Sequence, residues 1–232
     1  MFNYIVYFVV LLVSYTLGSI PTAYLVVKKF TGKNILEHGT GNVGTMNTHR
    51  TTENKWLTLL VLIGDLAKGG LAYLSTSFIL TIAFQLFSEM GSDDSRYIAT
   101  NLNTTWTALA IAFFGVILGH NYSIWLKFKG GKGLATAAGF LLGLNPLLVP
   151  FWGLIFFLVV ALSQFMVLGQ IIASALLPLV ALLLNTNNIG LVQFWIMLPA
   201  TILVVIKHAP RMKNVLNGSE PKMYYKIRNK KD

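Results

Sequence analysis

Apolar residues gather in seven runs along the chain, at about Tyr4–Val27, Trp56–Phe87, Trp106–His120, Leu134–Leu148, Phe151–Leu168, Ile171–Leu184 and Leu191–Ile206. Runs of roughly twenty such residues are what a bilayer-spanning helix requires. The second run is long enough to be bent or partly interfacial. The stretch from Leu134 to Leu184 is punctuated by Gly143, Pro146, Pro150, Gly153, Gly169 and Pro178, which leaves a five-span alternative open. The pattern predicts an all-α membrane protein of about seven transmembrane helices, folded as one domain over residues 1–232.

Composition supports this reading. Hydrophobic residues make up 55% of the chain and charged residues only 11%, against about a quarter charged in soluble domains. That is too little polar material to cover a water-facing surface. The first run is too long and too evenly apolar for a cleaved secretory signal, and it has neither a basic leading segment nor a small-residue cleavage site. It reads as a retained span. With Cys 0, disulfides, thiolate nucleophiles and cysteine metal ligands are excluded.

The net charge of +10 would suggest nucleic acid in a soluble protein. In a membrane protein it reads as lysine and arginine facing anionic lipid on the cytoplasmic side. Of the 18 Lys and Arg residues, all but Arg96 and Lys68 fall in loop 28–55, loop 121–133 or the tail after Ile206. Loop 88–105 instead carries Glu89, Asp93 and Asp94. This asymmetry puts the N-terminus outside and the C-terminus in the cytoplasm. It also brings three polar, glycine-rich segments, 37–50, 119–133 and 208–220, to one membrane face.

The first of these segments contains Gly39-Thr40-Gly41-Asn42-Val43-Gly44, which fits the G-x-G-x-x-G dinucleotide pattern. That fingerprint needs a strand before it, a crossover helix after it and an acidic residue about 20 positions on. Here membrane spans flank it, and Asp65 falls inside an apolar run. The second contains Lys129-Gly130-Gly131-Lys132-Gly133, but a P-loop would need glycine at Leu126 and Ser or Thr at Gly133. The chemistry behind both motifs still applies, because glycines let backbone N–H groups approach an anion closely. Thr40, Asn42, Thr45 and Asn47 add neutral donors, and Arg50 adds a charged fork. Asp65 and Lys68, at i and i+3 within a span, read either as an internal ion pair or as substrate contacts.

Catalytic patterns that rely on a strong protein base are missing. Five residues after His38, His49, His120 and His208 come Val43, Asn54, Trp125 and Lys213, so no His-x4-Asp dyad exists. There is no G-x-S-x-G elbow, no H-E-x-x-H and no carboxylate cluster suited to metal-bound pyrophosphate. A reaction here would lean on anion positioning.

Taken together, Gly18-Ser19-Ile20-Pro21, the 39–50 segment, Asp65-Leu66-Ala67-Lys68-Gly69, "GHNYSIWLKFKGGKGLAT" from Gly119 to Thr136, and Gly218-Ser219-Glu220 resemble the PlsY family. These are bacterial acyl-phosphate:glycerol-3-phosphate acyltransferases, and the likeness covers nearly the whole chain. It implies a seven-span enzyme of the cell (inner) membrane with its active site on the cytoplasmic face. It also implies transfer of a fatty acyl group from acyl phosphate to the sn-1 hydroxyl of glycerol 3-phosphate, with neither metal nor cofactor. Acyl phosphate is already activated, so holding two anions side by side would supply much of the rate. The resemblance further implies that a substrate phosphate takes up the hydroxyl proton.

On this basis Lys132, His120, His208 and Glu220 are the candidate catalytic residues. Candidate substrate-binding residues are Ser19, Thr40, Gly41, Asn42, Asn47, Arg50, Asp65, Lys68, Lys129, Gly130, Gly131, Gly133, Thr136 and Arg211. The chain departs from the family where "HAPRMKNVLNGSE" replaces H-R-x-N-I-x-R-L-x-x-G-x-E, so that Ala209, Arg211 and Asn214 stand for arginine, asparagine and arginine. Two alternatives follow: a divergent paralogue with a different acceptor or weak activity, and a non-catalytic lipid or anion transporter.

Overall fold

A computed structural model describes residues 2–89, 102–220 and 222. The acidic residues Asp93 and Asp94 with Arg96, and the tail bases Lys226, Arg228, Lys230 and Lys231, lie outside the described residues. The protein is all-helical. Among the described residues, β pairing is limited to one isolated antiparallel bridge, Ser123 with Lys129. The chain packs as two compact units, Met1–Leu144 and Asn145–Asp232.

In the first unit, the run predicted as one span, Tyr4–Val27, is broken. Helix α1 (Phe2–Ser19) stops at Ile20–Pro21, and α2 (Thr22–Thr31) begins immediately after. Pro21 has no backbone N–H to continue the first helix. Helix α2 ends with Lys28 and Lys29 in its last turn and Gly32 in the left-handed conformation, its N–H returning to the Lys28 carbonyl. A loop then leads into the short α3 (Thr45–Thr52) and the 35-residue α4 (Lys55–Glu89). Asn54 caps α4, its Oδ1 accepting from the Trp56 and Leu57 amides at 2.9 and 3.2 Å. Helices α5 (Leu102–Asn121) and α6 (Leu134–Leu144) complete the unit.

These helices pack through glycines, as expected where lipid supplies no hydrophobic drive and close contact must do so instead. A methyl group added at Gly18 would run into the Val116 carbonyl, and one at Gly119 would lie 2.8 Å from the Ser19 amide nitrogen, so α1 and α5 touch backbone to backbone. Helices α4 and α6 do the same. A methyl at Gly69 would sit 2.8 Å from the Phe140 nitrogen, and one at Gly139 would sit 2.7 Å from the Leu66 carbonyl carbon. The buried ring of Phe140 then contacts Tyr73 and Phe113, at centroid distances of 5.6 and 4.9 Å, and ties α4, α5 and α6 together.

The second unit holds α7 (Leu148–Ser163), α8 (Met166–Leu184) and α9 (Gly190–Leu216). The glycine- and proline-punctuated stretch from Leu134 thus resolves into helices that break at 145–147 and 164–165, the latter at Gln164 in the left-handed region. The buried Asn145 donates to Thr186 Oγ1 and Gln193 Oε1 at 2.9 and 3.0 Å. Helix α9 runs well past the apolar run that ends at Ile206. Much of the segment expected to be a polar, glycine-rich loop is therefore helical as far as Leu216, through Pro199 and Pro210, and the turn comes only at Gly218. Prolines are tolerated inside membrane helices because neighbours can satisfy the freed backbone groups.

Among the described residues, four helical stretches are long and apolar enough to cross a bilayer: Asn3–Thr31, Lys55–Leu86, Met166–Leu184 and Gly190–Leu216. Helices α6 and α7 are apolar but shorter.

The packing makes a direct prediction. Gly139→Leu should force α4 and α6 apart and cost about 1–3 kcal/mol. Gly153→Ala has nothing within 4 Å of the new methyl and should be silent. Thermal unfolding in detergent, run on both variants, measures the difference.

Candidate active site

A polar cluster of the first unit collects where α1 and α5 finish and α6 begins, against α4 about three turns from its start. Asp65 and Lys68, one turn apart on α4, form a buried ion pair at 2.8 Å. The Lys68 ammonium also donates to the Ile20 carbonyl at 3.0 Å, which at the helix break accepts from the Thr22 amide as well. His120, on the last turn of α5, points its Nδ1 toward Asp65 Oδ1 at 3.8 Å and toward the Thr136 hydroxyl at 3.1 Å. The other edge of its ring faces Gly131, where any side chain would collide with Nε2. One carboxylate therefore faces both a lysine and a histidine, as buried ionisable groups in membrane proteins require.

Ser19, at the end of α1, sits beside this cluster. Its carbonyl accepts from Ser123 Oγ at 2.5 Å, while its own buried hydroxyl has no protein partner. Asn121, the residue after His120, is fully buried, and neither its Oδ1 nor its Nδ2 has a protein partner. The side-chain oxygen would lie 3.1 Å from a methyl added at Gly133, so the amide sits directly under the lysine-glycine loop. Buried polar side chains without a protein partner are uncommon and leave capacity for further hydrogen bonding. Sequence reasoning did not single out Asn121 or Ser123. Both lie in the Gly119–Thr136 stretch, but only their burial reveals them.

The 39–50 segment owes its shape to Asn47. The Asn47 Oδ1 accepts from the Thr40 amide at 2.8 Å, and Nδ2 donates to the His38 and Ile35 carbonyls at 3.0 and 3.2 Å. These bonds use the buried carboxamide to hold the loop, which makes Asn47 a loop organiser. Gly39 and Gly41 take left-handed φ values of 62° and 66°, which glycine adopts at no steric cost. Thr40 and Arg50 remain exposed and Asn42 is half-buried.

A small core of Ala23, Val27, Ile35, Val43, Val61 and Leu126 lies under both loops. It seats them against each other, and the Val43 carbonyl comes against Gly131. In the second loop the Gly131 amide donates to the His120 carbonyl at 3.0 Å, and a side chain at Gly130 would strike the same backbone. Gly133 has φ 82°. Lys132 is half-buried and Lys129 exposed. The two loops expected to bind anions therefore meet, over the Asp65–Lys68–His120 cluster. On another face of α4 an apolar groove of about 490 Å³ runs along α4 and α6, lined by Leu66, Ala67, Gly70, Tyr73, Gly139 and Gly143 among others.

The remaining candidates belong to the second unit. His208 is buried, its Nδ1 2.7 Å from the Val204 carbonyl and its Nε2 3.0 Å from Gln170 Oε1. Gln170, a polar residue in the apolar run of α8, was also missed by sequence reasoning. Arg211 pairs with the buried Glu220, whose amide donates to the Asn214 carbonyl at 3.0 Å. Arg211, which replaces the family's asparagine, thus closes the end of α9 onto Glu220. Among the described residues, no three histidine, aspartate or glutamate side chains form a metal-binding group.

The comparisons with known proteins show the family and the fold. A family model described as "Glycerol-3-phosphate acyltransferase" matches residues 8–218. A glycerol-3-phosphate acyltransferase of Macrococcus caseolyticus is 33% identical over 216 residues, covering 93% of this chain and 96% of the relative. One from Staphylococcus aureus is 31% identical over 215 residues with the same coverage. Among solved structures, PlsY, an integral membrane glycerol 3-phosphate acyltransferase, superposes in its glycerol 3-phosphate form with a TM-score of 0.70 at 23% identity, covering 93% of this chain and 94% of that one. Its lysophosphatidic acid form gives 0.68 at 22% identity over the same shares of the two chains. The protein is a membrane acyltransferase. It belongs to the glycerol-3-phosphate acyltransferase family, the PlsY family, as its motifs led us to expect.

The buried ion pair yields a stability test. Asp65→Asn leaves Lys68 charged and unpaired in the helix bundle, and should cost roughly 3–5 kcal/mol. The double substitution Asp65→Leu with Lys68→Met removes both charges and should recover most of that loss. Thermal unfolding of the two variants in detergent compares them.

Proposed function

We propose that this protein transfers a fatty acyl group from an acyl phosphate to the sn-1 hydroxyl of glycerol 3-phosphate, giving lysophosphatidic acid and phosphate. The observation that carries the reading is the meeting of two glycine-rich, donor-rich loops at Val43 and Gly131 over a buried polar cluster, in a unit that also carries an apolar groove between α4 and α6. Both substrates of this reaction bear phosphates, and one bears a long apolar tail. The glycerol 3-phosphate and lysophosphatidic acid forms of the crystallised PlsY are the acceptor and product of the same reaction.

In this reading the 39–50 loop and Arg50 hold one phosphate. The Lys129–Gly133 loop, with Lys132 foremost, holds the other through its side chains and backbone N–H groups. The hydroxyl oxygen of the acceptor attacks the carbonyl carbon of the donor. The bond between that carbon and the phosphate oxygen breaks, and the hydroxyl proton leaves on the departing phosphate. No protein base is required. The protein contributes juxtaposition of two anions and donors near the developing oxyanion, with Ser19 and Asn121 available for the latter. His120, held by Asp65 and Thr136, fixes the floor under Gly131. Asp65 and Lys68 act as an internal ion pair that anchors this floor. His208, Arg211 and Glu220 order the end of α9 within the second unit. The acyl tail lies along the α4–α6 groove. We assign the chain seven spans, with its active site on the cytoplasmic side of the bacterial inner membrane, in keeping with the charge asymmetry of its loops.

Purified protein should form lysophosphatidic acid from palmitoyl phosphate and glycerol 3-phosphate. Lys132→Ala should reduce the rate about 100-fold or more, and palmitoyl-CoA should not replace the phosphate donor. A requirement for the thioester, or indifference to Lys132, overturns the mechanism.

The groove makes a separate prediction. A side-chain methyl at Gly70 would meet only the Gly139 carbonyl, at 3.6 Å. Gly70→Leu should therefore fold and partly fill the groove, lowering kcat/KM for palmitoyl phosphate several-fold relative to a short-chain acyl phosphate.

A further inference from the structure

The segment between Ser123 and Lys129 is a tight hairpin whose outward side chains are apolar. Ile124, Trp125 and Phe128 are 53%, 64% and 61% exposed, whereas Leu126 between them is buried in the core with Val43 and Val61. The hairpin is closed by hydrogen bonds from Phe128 N to Ser123 O at 2.8 Å, Lys129 N to Leu126 O at 3.0 Å and Leu126 N to Ser123 O at 3.2 Å. Lys127 and Phe128 both hold positive φ, 52° and 61°, a conformation that is a genuine outlier for a bulky side chain. The backbone is thus fixed in a costly shape that turns two aromatic rings outward, and strain of this kind persists only where surrounding structure enforces it. The exposed Lys127 and Lys129 flank those rings.

This hairpin is a loop, so its apolar surface does not follow from being part of a span. Its depth can be judged from Leu126, which packs in the same cluster as Val61. Val61 is five residues along α4 from Trp56, or about 7.5 Å at the rise of an α-helix. Trp56 is 78% exposed at the first turn of α4, the position at which tryptophan marks the boundary between hydrocarbon and head groups. An amphipathic Trp-Phe tip beside lysines at that level has the chemistry of an interfacial anchor. Its rings suit the upper acyl region, and its ammonium groups suit anionic lipid phosphates.

We propose that the Ser123–Lys129 hairpin inserts Ile124, Trp125 and Phe128 into the head-group boundary of the adjoining leaflet, with Lys127 and Lys129 on its anionic lipids. Because the hairpin continues directly into Gly130–Gly133, this lipid contact fixes the level of the lysine-glycine loop relative to the bilayer surface. A donor dissolved in the leaflet then presents its head group at the height of the loop.

The chain has Cys 0, so Trp125→Cys and Phe128→Cys each create a unique attachment site for a nitroxide, with Glu37→Cys as an exposed control in the neighbouring loop. In vesicles of phosphatidylcholine and phosphatidylglycerol, labels at 125 and 128 should collide more with lipid-soluble oxygen than with a water-soluble nickel chelate. The label at 37 should show the reverse. Nickel accessibility at 125 and 128 equal to that at 37 overturns the proposal, as does immobilisation with protection from both reagents, which signals a protein contact. This readout needs no enzymatic activity, so its failure is separate from failure of the proposed reaction. As a second measurement, Trp125→Ser with Phe128→Ser should keep the thermal midpoint but raise KM several-fold for palmitoyl phosphate in vesicles. It should leave KM for a short, water-soluble acyl phosphate unchanged, and an equal rise for both donors would count against the anchor.

Discussion

The structure depends on backbones that approach so closely that no side chain fits between them. In water, helices associate mainly by burying apolar surface. In lipid that drive is absent, and contact itself must hold the bundle. Gly18 and Gly119 bring α1 onto α5, and Gly69 and Gly139 bring α4 onto α6. The same device continues beyond the helices, where Gly130 and Gly131 lay the lysine-glycine loop on the backbone and ring of His120. A bundle built in this way places its helix ends and loops within ångströms of one another.

That closeness allows charge to be buried. Asp65 and Lys68 would be expensive in a helix facing lipid, and each needs partners within reach. Lys68 has Asp65 and the Ile20 carbonyl, which lies at the break where Pro21 interrupts the first helix. Asp65 has Lys68 and, at longer range, His120. His120 in turn meets Thr136 at the start of α6. One helix break, one ion pair and one histidine thereby join α1, α4, α5 and α6 beneath the two loops. Buried ion pairs contribute little net stability compared with well-packed apolar groups. This cluster matters for fixing which helix ends meet and in what register.

The sequence made much of this legible, for identifiable reasons. The motifs around Gly39–Arg50 and Gly119–Thr136 are contiguous in the chain, so their glycines, lysines and amides could be read directly as anion-binding material. The Asp65–Lys68 spacing of three residues could be read as a helical pair because the helix repeat is fixed. Functions that depend on residues far apart in the chain could not be assigned. Asn47 had the look of a phosphate donor, but its carboxamide is occupied by the carbonyls of Ile35 and His38 and the amide of Thr40. Asn121 and Ser123 carried no pattern, and only burial without, or with, a partner distinguishes them. The extent of α9 was also hidden, because polar residues and Pro210 resemble a loop when the neighbouring helices are unknown.

Composition and apolar run length determined the class of this protein, an all-helical membrane protein, and the resemblance of its motifs pointed to the glycerol-3-phosphate acyltransferase family. These properties need no knowledge of which distant residues meet. The tertiary structure alone decided that Val43 meets Gly131, that His120 lies between Asp65 and Gly131, and that Trp125 and Phe128 face outward while Leu126 faces in. The first two of these join residues from 11 to 88 positions apart. They follow from which backbones can touch, a three-dimensional condition that no local pattern records.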